Sequence, residues 1–188
     1  VTWQMLCAAG WSGSKTLRAL CGGEALAPTL AKALLARVAA LWNMYGPTET
    51  TVWSTCHHIV DADLPISVGT PIHNTSVYVL DEHRRPVPPG VEGQLFIGGS
   101  GVALGYLHDD DLTGKRFLPD PFKSLGRIYD TGDRARFDHH GLLYVVGRSD
   151  SQVKLRGFRI ELGEIETRLS SFAGMDQVVA MVRRDDPE

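Results

Sequence analysis

The stretch from Gly147 to Glu166, GRSDSQVKLRGFRIELGEIE, most constrains what this chain can fold into, because it demands three backbone regimes in quick succession. It opens as a polar hinge and passes into a strand at Gln152 to Leu155. Arg156-Gly157-Phe158-Arg159 is a turn that needs a flexible glycine. Glu161 to Phe172 then reads as an amphipathic helix, with Leu162, Ile165, Leu169 and Phe172 on one stripe of a 3.6-residue period. Glu161, Glu164 and Glu166 crowd its first turns, where negative charge is favoured. Val178 to Val182 is expected as a closing strand.

Upstream the texture differs. Leu17 to Cys21 is a short strand and Gly22, Gly23 and Glu24 a turn. Pro28 to Ala40 is an alanine- and leucine-rich helix, with proline tolerated in its first turn. NMYGPTETT follows as a loop that Gly46 and Pro47 keep from being helical, and Val52 to Val60 is β-like. After Asp61 come short β-rich runs at Val77 to Leu80, Gln94 to Ile97, Ile128 to Tyr129 and Leu142 to Val146. The turn compositions DEHRRPVPPGVEG, DPFKSLG and DHHG separate them. One short helix is expected at Asp110 to Phe117, with Asp109, Asp110 and Asp111 at its positive end. The fold class is α/β plus β-rich: an α/β part at 1–60, a barrel-like β part at 61–149, and a small α+β part from 150 to 188. No internal repeat or low-complexity tract interrupts it.

The 188 residues can bury a real core. A formal charge of −3 with no dominant basic face argues against nucleic-acid binding. No apolar run approaches the ~18 residues of a membrane span. The three cysteines, Cys7, Cys21 and Cys56, are scattered without metal-type spacing, which fits a reducing compartment and a cytoplasmic protein. The chain does not start at methionine, and both ends read as cut from something longer.

Three glycine clusters invite a nucleotide reading. GGSGVALG at 98–105 is one residue off the dinucleotide fingerprint and has no clear helix behind it, so a turn or bulge explains it better. GWSGSK at 10–15 has the wrong spacing for a phosphate loop. GGE at 22–24 either brings backbone close to a ligand or simply turns a strand into a helix. The pairs His57-His58 and His139-His140 lack metal-binding spacing and read as surface residues. NMYGPTET is different: an amide, a phenol, two hydroxyls and a carboxylate share one Gly-Pro loop. That set suits an aromatic stacked on a base, a hydroxyl on phosphate and a carboxylate on Mg²⁺. In YDTGD, Asp133 beside a glycine turn suits ribose hydroxyls. Each motif alone also reads as an ordinary polar turn.

Together the motifs LCGGEAL, NMYGPTETTVW, GQLFIGGSGVALGYL, RFLPDPF, YDTGD and GRSDSQVKLRGFRIELGEIE resemble, in order, those of the adenylation domains of nonribosomal peptide synthetases. These belong to the adenylate-forming superfamily. The resemblance covers essentially the whole chain and implies the C-terminal part of the large N-domain, followed by the start of a small lid.

It also implies roles. Asn43 would bond the adenine amino group, Tyr45 pack on its ring, Thr48 contact the α-phosphate and Glu49 hold Mg²⁺. Gly23, Glu24 and Gly46 would lie along the nucleotide. Asp133 would accept the ribose hydroxyls, and Arg148 would reach ribose or phosphate. Asp150 would be the hinge, while Lys154 and Gly157 would serve the thioester-forming step after the lid rotates. Leu20, Gly22, Met44, Val52 and Trp53 would line the acyl pocket, and the bulk of Met44 and Trp53 favours an apolar acyl group. The implied chemistry joins a carboxylic or amino acid to ATP, giving acyl-AMP and pyrophosphate. The acyl group then passes to the phosphopantetheine thiol of a peptidyl or acyl carrier domain.

Some family features are not in these residues: the glycine-rich phosphate loop, the acidic partner of an amino acid's amine, and the lysine near the end of the lid. Leu104 stands where arginine is common and Val145 where an aromatic is frequent. The 188 residues by themselves are therefore expected to be inactive. A stand-alone acyl-CoA synthetase or carrier-protein ligase remains an alternative, as does a non-catalytic interaction remnant.

Overall fold

Two parallel strands and the helix between them organise the first third of the chain. The computed structural model describes residues 2–155, 158–172, 174–175 and 177–183, apart from the side chains of Lys154 and Arg159. Helix α1 (Thr2–Ala8) leads to β1 (Ser14–Cys21), α2 (Pro28–Leu35) and β2 (Val38–Tyr45). β1 and β2 run parallel, and β3 (Thr55–Ile59) and β4 (Thr70–Pro71) extend the sheet antiparallel in the order β1-β2-β3-β4. Ala31 and Leu34 on α2 are fully buried against Ala19, Leu41 and Ile59. Burying a leucine of that kind contributes ~1.5–3 kcal/mol.

The helix expected to run to Ala40 stops at Leu35. Arg37 closes it: its guanidinium donates to the Ala33 carbonyl at 2.8 Å, and its own carbonyl accepts from the Ser14 amide at 2.8 Å. Val38 onward is then drawn into the sheet. Asn43, Met44 and Tyr45, expected on a loop, are the last residues of a central strand. Pairing on both sides overrides the helix propensity of the alanines.

A second sheet holds β5 (Thr75–Leu80), β6 (Gly93–Gly99), β7 (Phe117–Pro119), β8 (Arg127–Phe137) and β9 (Leu143–Arg148). The order is β5-β6-β8-β7, and β9 pairs with the second half of β8. Among the described residues no pairing returns from β7 or β9 to β5. The element expected to be barrel-like is therefore an open sheet. Val79, Leu95, Ala135 and Leu143 form one core cluster, and Leu80, Phe96 and Ile128 another. Its tight turns are built on aspartates: Asp81 Oδ1 accepts from the amides of His83 and Arg85, and Asp138 Oδ1 from those of His140 and Leu142. Helix α3 (Asp110–Arg116) is N-capped by Asp109, which accepts from the Leu112 amide at 2.9 Å. Acidic residues at its start and Lys115 and Arg116 at its end follow the helix dipole.

The segment Ser67 to Gly69 joins the two sheets. Val68 donates its amide to the Leu143 carbonyl, and Leu143 donates back to Gly69, both at 2.9 Å. Ser67 Oγ donates to the same Leu143 carbonyl at 2.7 Å.

The chain divides into two compact units, one ending at Ser149 and one beginning at Asp150. In the second, β10 (Gln152–Leu155) and β11 (Phe158–Glu161) form an antiparallel hairpin leading into α4 (Leu162–Ser170). Phe158 and Arg159, expected in the turn, belong to β11; Arg156 and Gly157 lie outside the described residues. Ile165 and Leu169 lie on α4 and Phe172 just past its end, yet all three are exposed. Residues 178–182 carry no strand pairing, in contrast to the expected closing strand. Among the described residues no helix is long and apolar enough to cross a membrane.

Candidate functional site

The end of β2 delivers Asn43 and Tyr45 to one point, and the loop behind them is folded tightly on itself. A Cβ on Gly46 would stand 2.6 Å from the Val52 carbonyl oxygen and 2.8 Å from the Ser54 nitrogen, so only glycine fits. Ser54 donates its amide to the Tyr45 carbonyl at 2.8 Å, and the Thr50 and Ser54 hydroxyls meet at 2.6 Å. Thr51 and Val52 both adopt left-handed backbone, with φ of 62° and 68°. For a β-branched pair this costs on the order of 1–3 kcal/mol per residue. The brace comes from the glycine cluster at 98–105. Thr51 Oγ1 donates to the Gly101 carbonyl at 2.7 Å, and the Ala103 amide donates to the Glu49 carbonyl at 2.9 Å. That cluster acts as a clamp on the loop. Asn43 is buried, and its amide NH₂ donates to the Ser67 carbonyl at 2.9 Å.

Tyr45 and Arg148 both donate to Asp133. The Tyr45 hydroxyl donates to Oδ2, and Arg148 Nη1 donates to Oδ1 at 2.8 Å. Arg148 also reaches the Thr131 carbonyl at 3.2 Å. The aim of Asp133 comes from an irregularity in β8. Gln94 pairs with Arg134 and Phe96 with Asp130, so β8 spends two more residues than β6 over Thr131 to Asp133. Gly132, at φ 71°, absorbs the distortion. Bulges of this kind re-aim side chains beside functional sites. Asp133, expected next to a glycine turn, thus lies in a bulged strand. The Thr131 hydroxyl ties the bulge down, donating to Leu95 and accepting from the Asp133 amide.

Burial first, and then the Asp133 carboxylate, hold the Tyr45 hydroxyl well above the ordinary tyrosine range. The folded form keeps a proton that the unfolded chain loses above about pH 10. A group raised on folding contributes its full stability below its unfolded value and loses it as pH rises toward the folded one. Stability should therefore fall above about pH 10, by at most ~1.4 kcal/mol per pH unit for this group. Tyr45→Phe is expected to flatten that alkaline slope in urea melts; identical slopes would contradict the assignment.

Glu49 starts from the single 3₁₀ turn Thr48–Thr50 and is 7% exposed, whereas Thr48 is exposed. Tyr106 donates its hydroxyl to Glu49 Oε1 at 2.8 Å, and the Tyr106 and Tyr129 hydroxyls lie 3.1 Å apart. Burial, the Tyr106 contact and the Glu49 charge push the Tyr129 phenol far above its usual value. Among the described residues no three His, Cys, Asp or Glu side chains converge. A buried carboxylate next to an exposed hydroxyl fits Mg²⁺ held by one protein carboxylate together with phosphate oxygens.

Of the residues expected in the acyl pocket, three meet. A Cβ on Gly22 would stand 2.3 Å from Trp53 Cζ3 and 2.9 Å from the Met44 carbonyl oxygen. The Trp53 ring therefore fills the space that a side chain at position 22 would need. Leu20 and Val52 are exposed. Leu20 pairs in register with Trp42, which stacks on His58 at 4.7 Å. Gly23, at φ 88°, makes the expected turn, and Glu24 follows it half-buried. Asp150 and Lys154 belong to the second unit: Asp150 Oδ1 accepts from the Gln152 amide at 3.3 Å, and Lys154 lies on β10. The Lys154 side chain and Gly157 lie outside the described residues. Tyr106, Tyr129, Thr131 and Ser67 were not singled out by sequence. Tyr106 and Tyr129 lie inside the quoted motifs, but their partner Glu49 is far away along the chain.

Residues 2–107 match the AMP-binding enzyme family. The chain is 48% identical over 173 residues to a dimodular nonribosomal peptide synthase of Bacillus subtilis (strain 168), covering 91% of this chain and 7% of that one. It is 46% identical over 179 residues to the phosphinothricin tripeptide synthetase PhsB of Streptomyces viridochromogenes, covering 94% of this chain and 15% of that protein. Among solved structures it superposes at TM-score 0.77 and 51% identity on a four-domain nonribosomal peptide synthetase bound to AMP and glycine, with 97% of this chain and 14% of that one covered. A nonribosomal peptide synthetase protein containing adenylation and PCP domains matches at TM-score 0.79 and 36% identity, with 88% and 35% covered. The mixed α/β fold and its strand-rich sheets are those of part of a nonribosomal peptide synthetase adenylation domain. The chain belongs to the AMP-binding enzyme family. It spans only a small part of the length of these relatives.

Proposed function

We propose that these residues are part of an enzyme that activates a carboxylic or amino acid with ATP, forming acyl-AMP and pyrophosphate. The acyl group then passes to the phosphopantetheine thiol of a carrier domain. The observation that carries this reading is the convergence of Tyr45 and Arg148 on Asp133, with Asn43 two residues before Tyr45 on the same strand. Because the Ser67 carbonyl takes the Asn43 NH₂, the amide presents its oxygen to a ligand, the polarity an adenine amino group needs. Tyr45 offers the ring against which the base packs, and Asp133 is an acceptor for the ribose hydroxyls. Thr48 faces the α-phosphate, and Gly23, Glu24 and Gly46 line the nucleotide.

The reaction brings two anions together, the acid and the phosphate. Glu49 would hold Mg²⁺ there, and the ion would supply charge neutralisation. Trp53, Met44, Gly22, Leu20 and Val52 form the acyl side, and Trp53 over Gly22 restricts it to a compact apolar group. In the proposed organisation, 1–60 and 61–149 form the body. Residues 150–188 begin a lid hinged at Asp150, which brings Lys154 and Gly157 to the thioester-forming step. The proposed location is the cytoplasm.

Acid-dependent ATP–pyrophosphate exchange by the full-length chain tests this reading. Glu49→Gln should lower exchange about 100-fold, in keeping with the several kcal/mol that a positioned cation supplies. Exchange that needs no carboxylic acid, or that ignores Glu49→Gln, would refute it. The 188 residues alone should stay at background; turnover above background would overturn the view that they are inactive in isolation.

A further inference from the structure

We propose that Tyr106 is a positioning residue for Glu49, setting the carboxylate in the orientation that receives the metal ion, with Tyr129 steadying Tyr106 in turn. The inference rests on the reading of Glu49 as a Mg²⁺ ligand. Tyr106 donates its only hydroxyl proton to Glu49 Oε1 at 2.8 Å. Its lone pairs are then left to accept the Tyr129 hydroxyl at 3.1 Å, and Tyr129 also lies within reach of the Glu49 carboxylate. Each bond in such a network polarises the next.

The Tyr106 phenol is located from several sides. Its ring meets Phe117 edge-on at 5.3 Å, and Phe117 packs on Tyr129 at 5.0 Å. Its backbone amide donates to Thr113 Oγ1 at 2.8 Å. Gly105, at φ 150°, lets the chain come so close to Thr113 that a Cβ there would stand 2.5 Å from Thr113 Cγ2. Arg127 fastens the preceding residues, donating to the carbonyls of Ala103 and Leu104 at 2.9 and 2.8 Å. The same short segment also holds the Glu49 main chain, through the Ala103 amide and the Glu49 carbonyl. Glu49 is thus gripped at its backbone and at its carboxylate by residues three positions apart. A hydrogen bond that merely satisfied a buried oxygen would not need the main chain fixed as well. Partners of this kind orient ligating carboxylates, and losing one costs roughly 10–100-fold in metal affinity.

The test uses the full-length chain and Mn²⁺·ATP as probe, with binding followed by calorimetry in the absence of acid substrate. Tyr106→Phe keeps the ring against Phe117 and removes only the hydroxyl. The expected result is Mn²⁺·ATP binding weakened about 10–100-fold, with unchanged binding of ATP in EDTA. The Mg²⁺ concentration needed for half-maximal exchange should rise in parallel. Tyr129→Phe should move both readouts the same way by less. Wild-type metal–nucleotide binding by Tyr106→Phe, alongside weakened binding by Glu49→Gln, would overturn the inference and leave the proposed function standing. If Glu49→Gln itself binds Mn²⁺·ATP normally, the metal reading of Glu49 fails and this inference with it. Should Tyr106→Phe not fold, Tyr129→Phe decides: weakened metal–nucleotide binding with normal binding in EDTA supports the relay, and normal binding in both overturns it.

Discussion

Asp133→Asn is expected to weaken ATP binding by the full-length chain about 100-fold while leaving the protein folded. The carboxylate presents two acceptor oxygens, and asparagine presents one oxygen and one donor NH₂. Arg148 can only donate, so it claims the remaining oxygen. The new NH₂ then faces Tyr45, whose hydroxyl can turn to accept it. The local network survives, but the two charge-assisted acceptors proposed for a ribose diol are gone. Hydrogen bonds to charged groups contribute about 1.5–3 kcal/mol each, and 1.4 kcal/mol is tenfold in affinity. The Asp133–Arg148 pair is mostly buried, with side chains 12% and 18% exposed. Losing its charge should cost about 1–3 kcal/mol of stability, below the 3–5 typical of removing a partner outright. Calorimetric titration with ATP and a thermal melt separate the two effects. Unchanged ATP affinity would remove Asp133 from the nucleotide site.

Gly69→Ala is expected to produce the largest loss of stability of the glycine-to-alanine changes assessed among the described residues. Gly69 has φ 83°, and a Cβ there would stand 2.0 Å from the Cys56 carbonyl oxygen and 2.4 Å from its carbon. The obstacle is backbone of a paired strand, so no side chain can swing away. On its other side Gly69 is bonded to Leu143 in the second sheet. A shift of this residue must therefore move one sheet against the other. We expect a loss of about 4 kcal/mol or more, in the range reserved for backbone strain and overpacking, read as a melting point lowered by roughly 10 °C. Gly141→Ala is the control. Gly141 has φ 77° but nothing within 4 Å of an added Cβ, so only the left-handed backbone is penalised, by about 1–2 kcal/mol. Equal losses at the two positions would mean the junction between the sheets is not tight.

Local chemistry was legible wherever it acts over a few residues. Asp109 and the acidic pair after it announced α3, and the aspartate turns at Asp81 and Asp138 announced the hairpins. β2 is not legible in the sequence because its opening residues, Val38, Ala39 and Ala40, continue an alanine-rich run from α2. Only the neighbours β1 and β3, pairing on either side, make that segment a strand. Only Ile128 and Tyr129 of the eleven residues of β8 read as strand from sequence, since its middle carries Asp130, Thr131, Gly132 and Asp133, polar or turn-forming types that a strand tolerates here through a bulge.

The sequence alone determined the order of the motifs and with them the family, and it singled out Asn43, Tyr45, Glu49, Asp133 and Arg148 as a candidate set. These are covalent facts that survive any misreading of secondary structure. The tertiary structure decided how they meet. Tyr45 reaches Asp133 across 88 positions and Glu49 reaches Tyr106 across 57. It also showed that the glycine cluster at 98–105 braces a strained loop, and that Trp53 fills the space over Gly22. Such contacts depend on sheet register and on the Ser67 to Gly69 junction. Both follow from the packing of distant segments, which no local pattern of residues records.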